Sequence, residues 1–296
     1  PVDGPLPLDA WKRSPLFSAG EKPLLEVTAG GPALSALVPG AHAKCLYRVK
    51  RIKKAGDTSE VKYLFRASPG LKVQAQGASG VGGSPLVVFL HGASARGNSF
   101  DNHLNMALPG AIDSLEASGA IEESNRFFML APLCPMGTEW KTRHMADALL
   151  ELIEGICSKV NIDRARIYLT GVSMGGLGSW MLGARAPAGT FAAISPMCGG
   201  GQPLYARLLT KIPMWFFHSA EDNVVGVEET EAIYAALLKE SQGSKKIAHF
   251  TRYSSCPEPS SQEWMVGHNC WGRTYRNKEF WKWMFSQRCE LRSNHT

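Results

Sequence analysis

Gly171-Val172-Ser173-Met174-Gly175 is the segment with the clearest chemical potential. A serine sits between glycines, after the apolar run 166–170 (RIYLT) and at the start of a helix-like stretch, 174–185. That context is what a nucleophile elbow requires. The turn presents a strained serine hydroxyl above the end of a strand. Its glycines let backbone pass where side chains would collide. The Met174 N–H then lies at a helix N-terminus, aimed at the oxyanion that forms when Ser173 attacks a carbonyl. The plain alternative is a Gly-rich turn carrying an incidental serine.

A hydroxyl is a weak nucleophile and needs a base. One known order along the chain is Ser, then acid, then His. His249, His268 and His295 follow a plausible acid. His249 falls inside a strand pattern, and His295 is next to the last residue. His268, in Gly267-His268-Asn269-Cys270-Trp271, has the loop position a base should occupy. The acid should follow an earlier strand. Asp222, in the loop after the apolar run 212–218, is the first choice and Glu221 the fallback. A short carboxylate there can hold the imidazole Nδ1–H; an Asx-turn is the ordinary use of such an Asp. His218 is read as a turn-shaping residue bonded to backbone. The second oxyanion donor is expected from the loop His91-Gly92-Ala93, as the Ala93 N–H. That loop lacks the G-K-[ST] ending of a P-loop and the G-x-G-x-x-G of a dinucleotide site.

The elements that position these residues alternate. Runs 61–67, 85–90, 127–131, 166–170, 191–195, 212–218 and 249–253 read as strands. Stretches 145–157, 174–185, 227–240 and 280–287 read as helices. In 145–157, Ala148, Leu149, Leu152, Ile153 and Ile156 share one face. Such alternation means βαβ units: an α/β fold with a mostly parallel sheet and helices on both faces. Ligands then bind at the carboxyl ends of the strands. Residues 1–60 read as an N-terminal lead, with a short strand or two, packing on a catalytic domain at 61–296. A Gly/Ser/Ala-rich loop is expected at 77–84.

Composition removes other classes. The chain has 296 residues, 44% apolar and 20% charged, with a formal net charge of +6. A disordered chain is poorer in apolar residues, and no run approaches a membrane span. The basic excess sits in 44–54 and 273–292, read as solvated faces rather than a nucleic-acid or anionic-surface patch. Seven cysteines lack CxxC spacing, which argues against structural zinc. Cys256 and Cys270 bracket a Pro/Ser-rich loop and form a candidate disulfide. Asn294-His295-Thr296 is a sequon at the extreme C-terminus. The chain opens on Pro1 rather than Met, which reads as a truncated N-terminus; a secreted or organellar destination stays open.

An ordered set of blocks carries a resemblance: PLVVFLHGASARG, APLCPMGTEW, NIDRARIYLTGVSMGGLGSW, FAAISPMCGGG, IPMWFFHSAEDNVVGVE, GHNCW and FWKWMFSQ. From about Tyr63 to Gln287 the sequence resembles the predicted-peptidase and feruloyl-esterase-like branch of the α/β-hydrolase superfamily. That branch includes carboxylesterases and relatives of polyhydroxybutyrate depolymerases. The resemblance implies a serine hydrolase with Ser173 as nucleophile, Asp222 as acid, His268 as base, and Ala93 with Met174 as oxyanion donors. Two features depart from it. The loop 254–266 is longer than such enzymes show and adds Cys256, Pro257, Pro259 and Trp264, so it should reshape the pocket rim. The N-terminal lead has no assignable counterpart.

The resulting expectation is hydrolysis of a small-molecule or polymer-derived ester through an acyl-enzyme, with no metal or cofactor. Trp140, Trp264 and Trp271 are candidate pocket walls, with core packing as the alternative. Peptide or thioester cleavage by the same three residues is the nearest alternative. A non-catalytic, hydrolase-like binding protein is a different class.

Overall fold

A computed structural model describes residues 25–27, 39–48, 60–77, 82–97, 99–104, 107–244, 247–258 and 264–289. Most of the expected N-terminal lead, the centre of the 77–84 loop, residues 49–54 and 259–263, and the sequon lie outside the described residues.

The strands are β1 Leu25–Val27, β2 His42–Arg48, β3 Glu60–Ala67, β4 Ser84–Leu90, β5 Phe128–Pro132, β6 Ile162–Val172, β7 Ala193–Met197, β8 Met214–Ser219 and β9 Ala248–Tyr253. They form one sheet in the order β1-β2-β3-β5-β4-β6-β7-β8-β9. From β5 to β9 every pairing is parallel. β3 runs antiparallel to both β2 and β5. β2 pairs with β3 from His42↔Arg66 to Arg48↔Glu60, so part of the expected lead is a full member of the sheet.

The helices are α1 Phe100–Leu104, α2 Ala107–Ala117, α3 Arg143–Cys157, α4 Met174–Arg185, α5 Val227–Glu240, α6 Trp271–Arg276 and α7 Lys278–Ser286. They cover both faces. Along β4, Leu86, Val88 and Leu90 join the core that holds Leu149 and Leu152 of α3, Trp180 of α4 and Ile233 of α5. Val87 and Phe89 point the other way, into the core with Ile112 of α2 and Phe280 and Trp281 of α7. A strand buried on both faces has no polar alternation to show, which is why 85–90 reads as an unbroken apolar run. Each such side chain removed from water contributes about 1.5 to 3 kcal/mol.

The expected spans agree with the observed elements to within a few residues, except β6, which extends four residues earlier than 166–170. α1, α2 and α6 were not expected. α2 begins Ala-Leu-Pro-Gly, which reads as a turn, and α6 is only six residues long.

Three arginines of the basic C-terminal stretch are paired. Arg273 and Arg276 contact Glu258, and Arg288 contacts Asp163. Among the described residues no helix is long and apolar enough to cross a membrane.

Candidate active site

β6, at the middle of the sheet, runs directly into Ser173, and α4 starts at the next residue. Ser173 has φ +56°, a left-handed conformation that a non-glycine residue adopts only under constraint. The constraint is visible. The Ser173 N–H donates to Met197 O at 2.9 Å, and Leu177 N closes the first helical turn on Ser173 O at 3.0 Å. Behind the turn, a Cβ on Gly175 would lie 2.0 Å from Leu90 O, and one on Gly171 would lie 2.3 Å from Gly175 O. No side chain fits either place, which accounts for both glycines of the motif. Ser173 itself remains half-buried, open to a substrate.

The loop after β4 passes close to the serine. A Cβ on Gly92 would meet Ser173 Cβ at 3.5 Å. Among the described residues neither the Ala93 N–H nor the Met174 N–H has an internal acceptor. The hydrogens of both expected donors are therefore unused among the described residues.

His91 and Trp140 brace this loop. The Cys134 N–H donates to His91 Nε2 at 3.0 Å, so Nδ1 carries the ring hydrogen and donates to Gly92 O at 2.7 Å. Burial pushes the His91 pKa down to about 4, against the raising effect of the Gly92 carbonyl. Trp140 Nε1 donates to His91 O at 2.9 Å, and its ring meets the imidazole edge-on at 5.0 Å. Trp140 was a candidate pocket wall, with core packing as the alternative. It is fully buried, as the core-packing alternative has it, and it packs where Gly178 of α4 leaves room. Sequence reasoning missed both bracing roles; these partners lie more than 40 residues apart along the chain.

Across the sheet, Asp222 follows β8 and His268 precedes α6. Both are buried. His268 Nδ1 lies 2.7 Å from Asp222 Oδ2. Asp222 Oδ1 accepts from the N–H groups of Val224 and Val225 at 2.9 and 3.0 Å. His218 Nε2 lies 3.0 Å from the same Oδ2 and 2.9 Å from Val225 O. Burial alone would raise the Asp222 pKa. The hydrogen bonds from His218 and His268, the charge on His268 and the Val225 N–H outweigh it and hold the carboxyl well below the usual range. Glu221, the fallback acid, is exposed.

Gly267 has φ +71°, and a Cβ there would lie 2.6 Å from the Glu221 carbonyl carbon. The chain entering His268 thus presses on the backbone of the acid loop. His268 Nε2 is buried and has no internal hydrogen-bond partner. Trp271 packs edge-on to the His268 ring at 5.7 Å. Trp264 is 60% exposed, and its carbonyl accepts from Asn223 Nδ2 at 2.7 Å. His249 lies in β9 against Trp215 and Trp283, away from this pair. His295 lies outside the described residues.

Cys198 joins the two sides. It follows β7 with φ +43°, directly after Met197, whose carbonyl accepts the Ser173 N–H. Its sulfur and the ligand atoms of Asp222 and His268 all lie within 4.8 Å of one another. That trio has the residue types of a metal site, but its carboxylate and thiol are not available as ligands. Four hydrogens already point at the Asp222 oxygens, and burial raises the thiol pKa well above its usual value. Cys256 and Cys270, the candidate disulfide, are both free buried thiols.

The strand order, the serine between β6 and α4, and the acid and histidine in the loops after β8 and β9 together decide the fold. The chain has the α/β-hydrolase fold. Solved structures agree. A thermostable esterase superposes with a TM-score of 0.61 and 30% identity, over 80% of this chain and 62% of that one. The feruloyl esterase module from Clostridium thermocellum, solved with sinapinate, gives 0.56 at 12% identity, over 86% of this chain and 93% of that module. Pyrococcus horikoshii acylaminoacyl peptidase gives 0.53 at 15%, over 83% of this chain and 40% of the peptidase. The last two are likenesses of fold. This chain spans less than two thirds of the length of the esterase it matches. No protein-family model and no curated protein matches the chain. The solved neighbours are named as esterases and peptidases.

Proposed function

We propose that this α/β-hydrolase cleaves carboxylic esters through a covalent acyl-enzyme. Ser173 is the nucleophile, His268 the general base and Asp222 its orienting acid. The observation that carries this reading is the state of His268. Its Nδ1 is fixed on a saturated carboxylate, while its buried Nε2 has no internal partner. A buried polar atom left unbonded costs about 1 to 3 kcal/mol, and a base awaiting a proton from serine is a reason to carry that cost.

Ser173 Oγ attacks the ester carbonyl as its proton passes to His268 Nε2. The Ala93 and Met174 N–H groups receive the oxyanion. His268 then protonates the departing alcohol and activates water against the acyl-enzyme. The residues in this sequence supply every proton and charge it needs. Small-molecule and polymer-derived esters are the substrate class. The thermostable esterase at 30% identity supports an ester over an amide. Trp271 and Trp264 stand on the histidine side, where they would meet one end of the substrate.

The test is Ser173→Ala assayed on p-nitrophenyl esters beside acyl-thioesters and aminoacyl amides. Loss of ester hydrolysis with an unchanged melting temperature is expected. Wild-type activity in the variant overturns the assignment. Faster cleavage of amides or thioesters by the wild type moves the substrate class.

A further inference from the structure

We propose that His218 is a positioning residue for this reaction: it occupies the second lone pair of Asp222 Oδ2 and so fixes the plane in which the carboxylate holds His268. The inference rests on the proposed assignment of Ser173, Asp222 and His268. It gives a role to a buried imidazole that the mechanism does not use.

The argument is one of saturation. A carboxylate has about four lone-pair positions. Asp222 uses all of them. Two backbone N–H groups take Oδ1, and two imidazoles share Oδ2, His268 at 2.7 Å and His218 at 3.0 Å. The groups within reach of His218 Nε2 are both acceptors, Asp222 Oδ2 and Val225 O. Nε2 therefore carries a hydrogen. The other edge of the ring is held too: Nδ1 lies 2.8 Å from Thr230 Oγ1 on α5, and Thr230 Oγ1 donates to Gly199 O at 3.1 Å. Gly199 follows Cys198, whose neighbour Met197 accepts the Ser173 N–H. His218 thus links the acid to the same backbone segment that holds the nucleophile turn.

The consequence is mechanical. Two N–H groups on Oδ1 leave the carboxylate free to tilt about that edge. A second donor on Oδ2 removes the tilt. When His268 takes the serine proton, the carboxylate must stay in the imidazole plane, since orientation of the base is what the acid supplies. Losing a hydrogen bond to a charged group of this kind corresponds to a rate loss of about 10- to 100-fold.

The test uses the full chain and three variants. His218→Asn is too short to reach Oδ2, whereas His218→Gln offers an amide N–H at greater reach. For His218→Asn, kcat on a p-nitrophenyl ester is expected to fall about 10- to 100-fold with KM held within about twofold. His218→Gln is expected to recover most of the loss. Wild-type kcat in both variants, or equal losses with KM rising in step, overturns the proposal. Proton NMR of the wild type gives a reading that survives a folding failure. Hindered imidazole N–H resonances are expected from His218 and His268 on Asp222 as well as from His91 on Gly92 O, and Asp222→Asn should move both of the first two. Movement of only one of those two overturns the proposal. A fluorophosphonate separates this from the underlying assignment. An unlabelled wild type rejects the assignment itself, whereas a labelled wild type with an unimpaired His218→Asn rejects the positioning role alone.

Discussion

On the nucleophile side, β6, Ser173 and α4 are consecutive in the chain, and backbone packed against backbone holds the geometry. On the acid–base side, Asp222 and His268 stand 46 residues apart, and side-chain hydrogen bonds between loops hold them. The first arrangement has no space for an added atom. The second has no lone pair to give up. One half should therefore fail by steric intrusion and lose its fold; the other should fail by loss of a partner and lose its rate.

Asp222→Asn is the largest break on the polar side. The asparagine oxygen keeps the Val224 and Val225 N–H groups, so its NH2 must face the N–H groups of His218 and His268. Donor meets donor, and His268 shifts to the wrong tautomer. A fall in kcat of about 10⁴-fold is expected, with the protein still folded by circular dichroism. A variant that unfolds instead would erase the distinction between the halves.

Gly175→Ala is the corresponding break on the steric side. The new Cβ would sit 2.0 Å from Leu90 O, a backbone atom that cannot rotate away. We expect a loss of about 3 kcal/mol or more, seen as a melting temperature lower by about 6 to 12 °C. A melting temperature within a degree of wild type would show that the elbow has room to spare.

The His91 brace gives the nucleophile side a pH signature. Its pKa falls from 6.5 to about 4 on folding, chiefly through burial. Between those values the unfolded chain binds a proton that the folded chain refuses. Stability therefore drops as pH falls through this window and levels off below it. The full effect is roughly 3 kcal/mol. Denaturant unfolding followed from pH 7 to pH 4 should show the drop, and His91→Gln should flatten it. Asp222 acts with the same sign at lower pH: its depressed pKa stabilises the fold above the unfolded carboxylate range and is lost on further acidification.

Trp264→Ala should do least to the fold. The ring is 60% exposed and its contribution to the loop is a backbone carbonyl. Stability should stay within about 0.5 kcal/mol. Any effect should appear in KM on bulky esters; a large loss of stability would mean that the ring packs against the fold.

The same contrast explains what could be read from the sequence. Gly171 to Gly175 announced the elbow because strand, turn and helix are local and contiguous. The α/β architecture followed from apolar runs and helical spacing. Asp222 and His268 could be nominated from chain order and loop position. The bracing roles of His91 and Trp140 could not, because they depend on contacts between distant segments. The sequence therefore left Trp140 open between pocket wall and core, and could not show it as a buried brace. His218 was seen as a turn residue bonded to backbone, which it is through Val225 O, but its bond to Asp222 needed the three-dimensional turn after β8. α2 was hidden by Pro109 and Gly110 in its first turn.

The central claim is that Ser173 is an activated nucleophile. It is tested most directly by treating the protein with a fluorophosphonate and mapping the adduct by peptide mass spectrometry. A single adduct on Ser173 is expected, formed far more slowly in His268→Ala and absent in Ser173→Ala. No adduct, or one on another residue with Ser173 unmodified, would contradict the account.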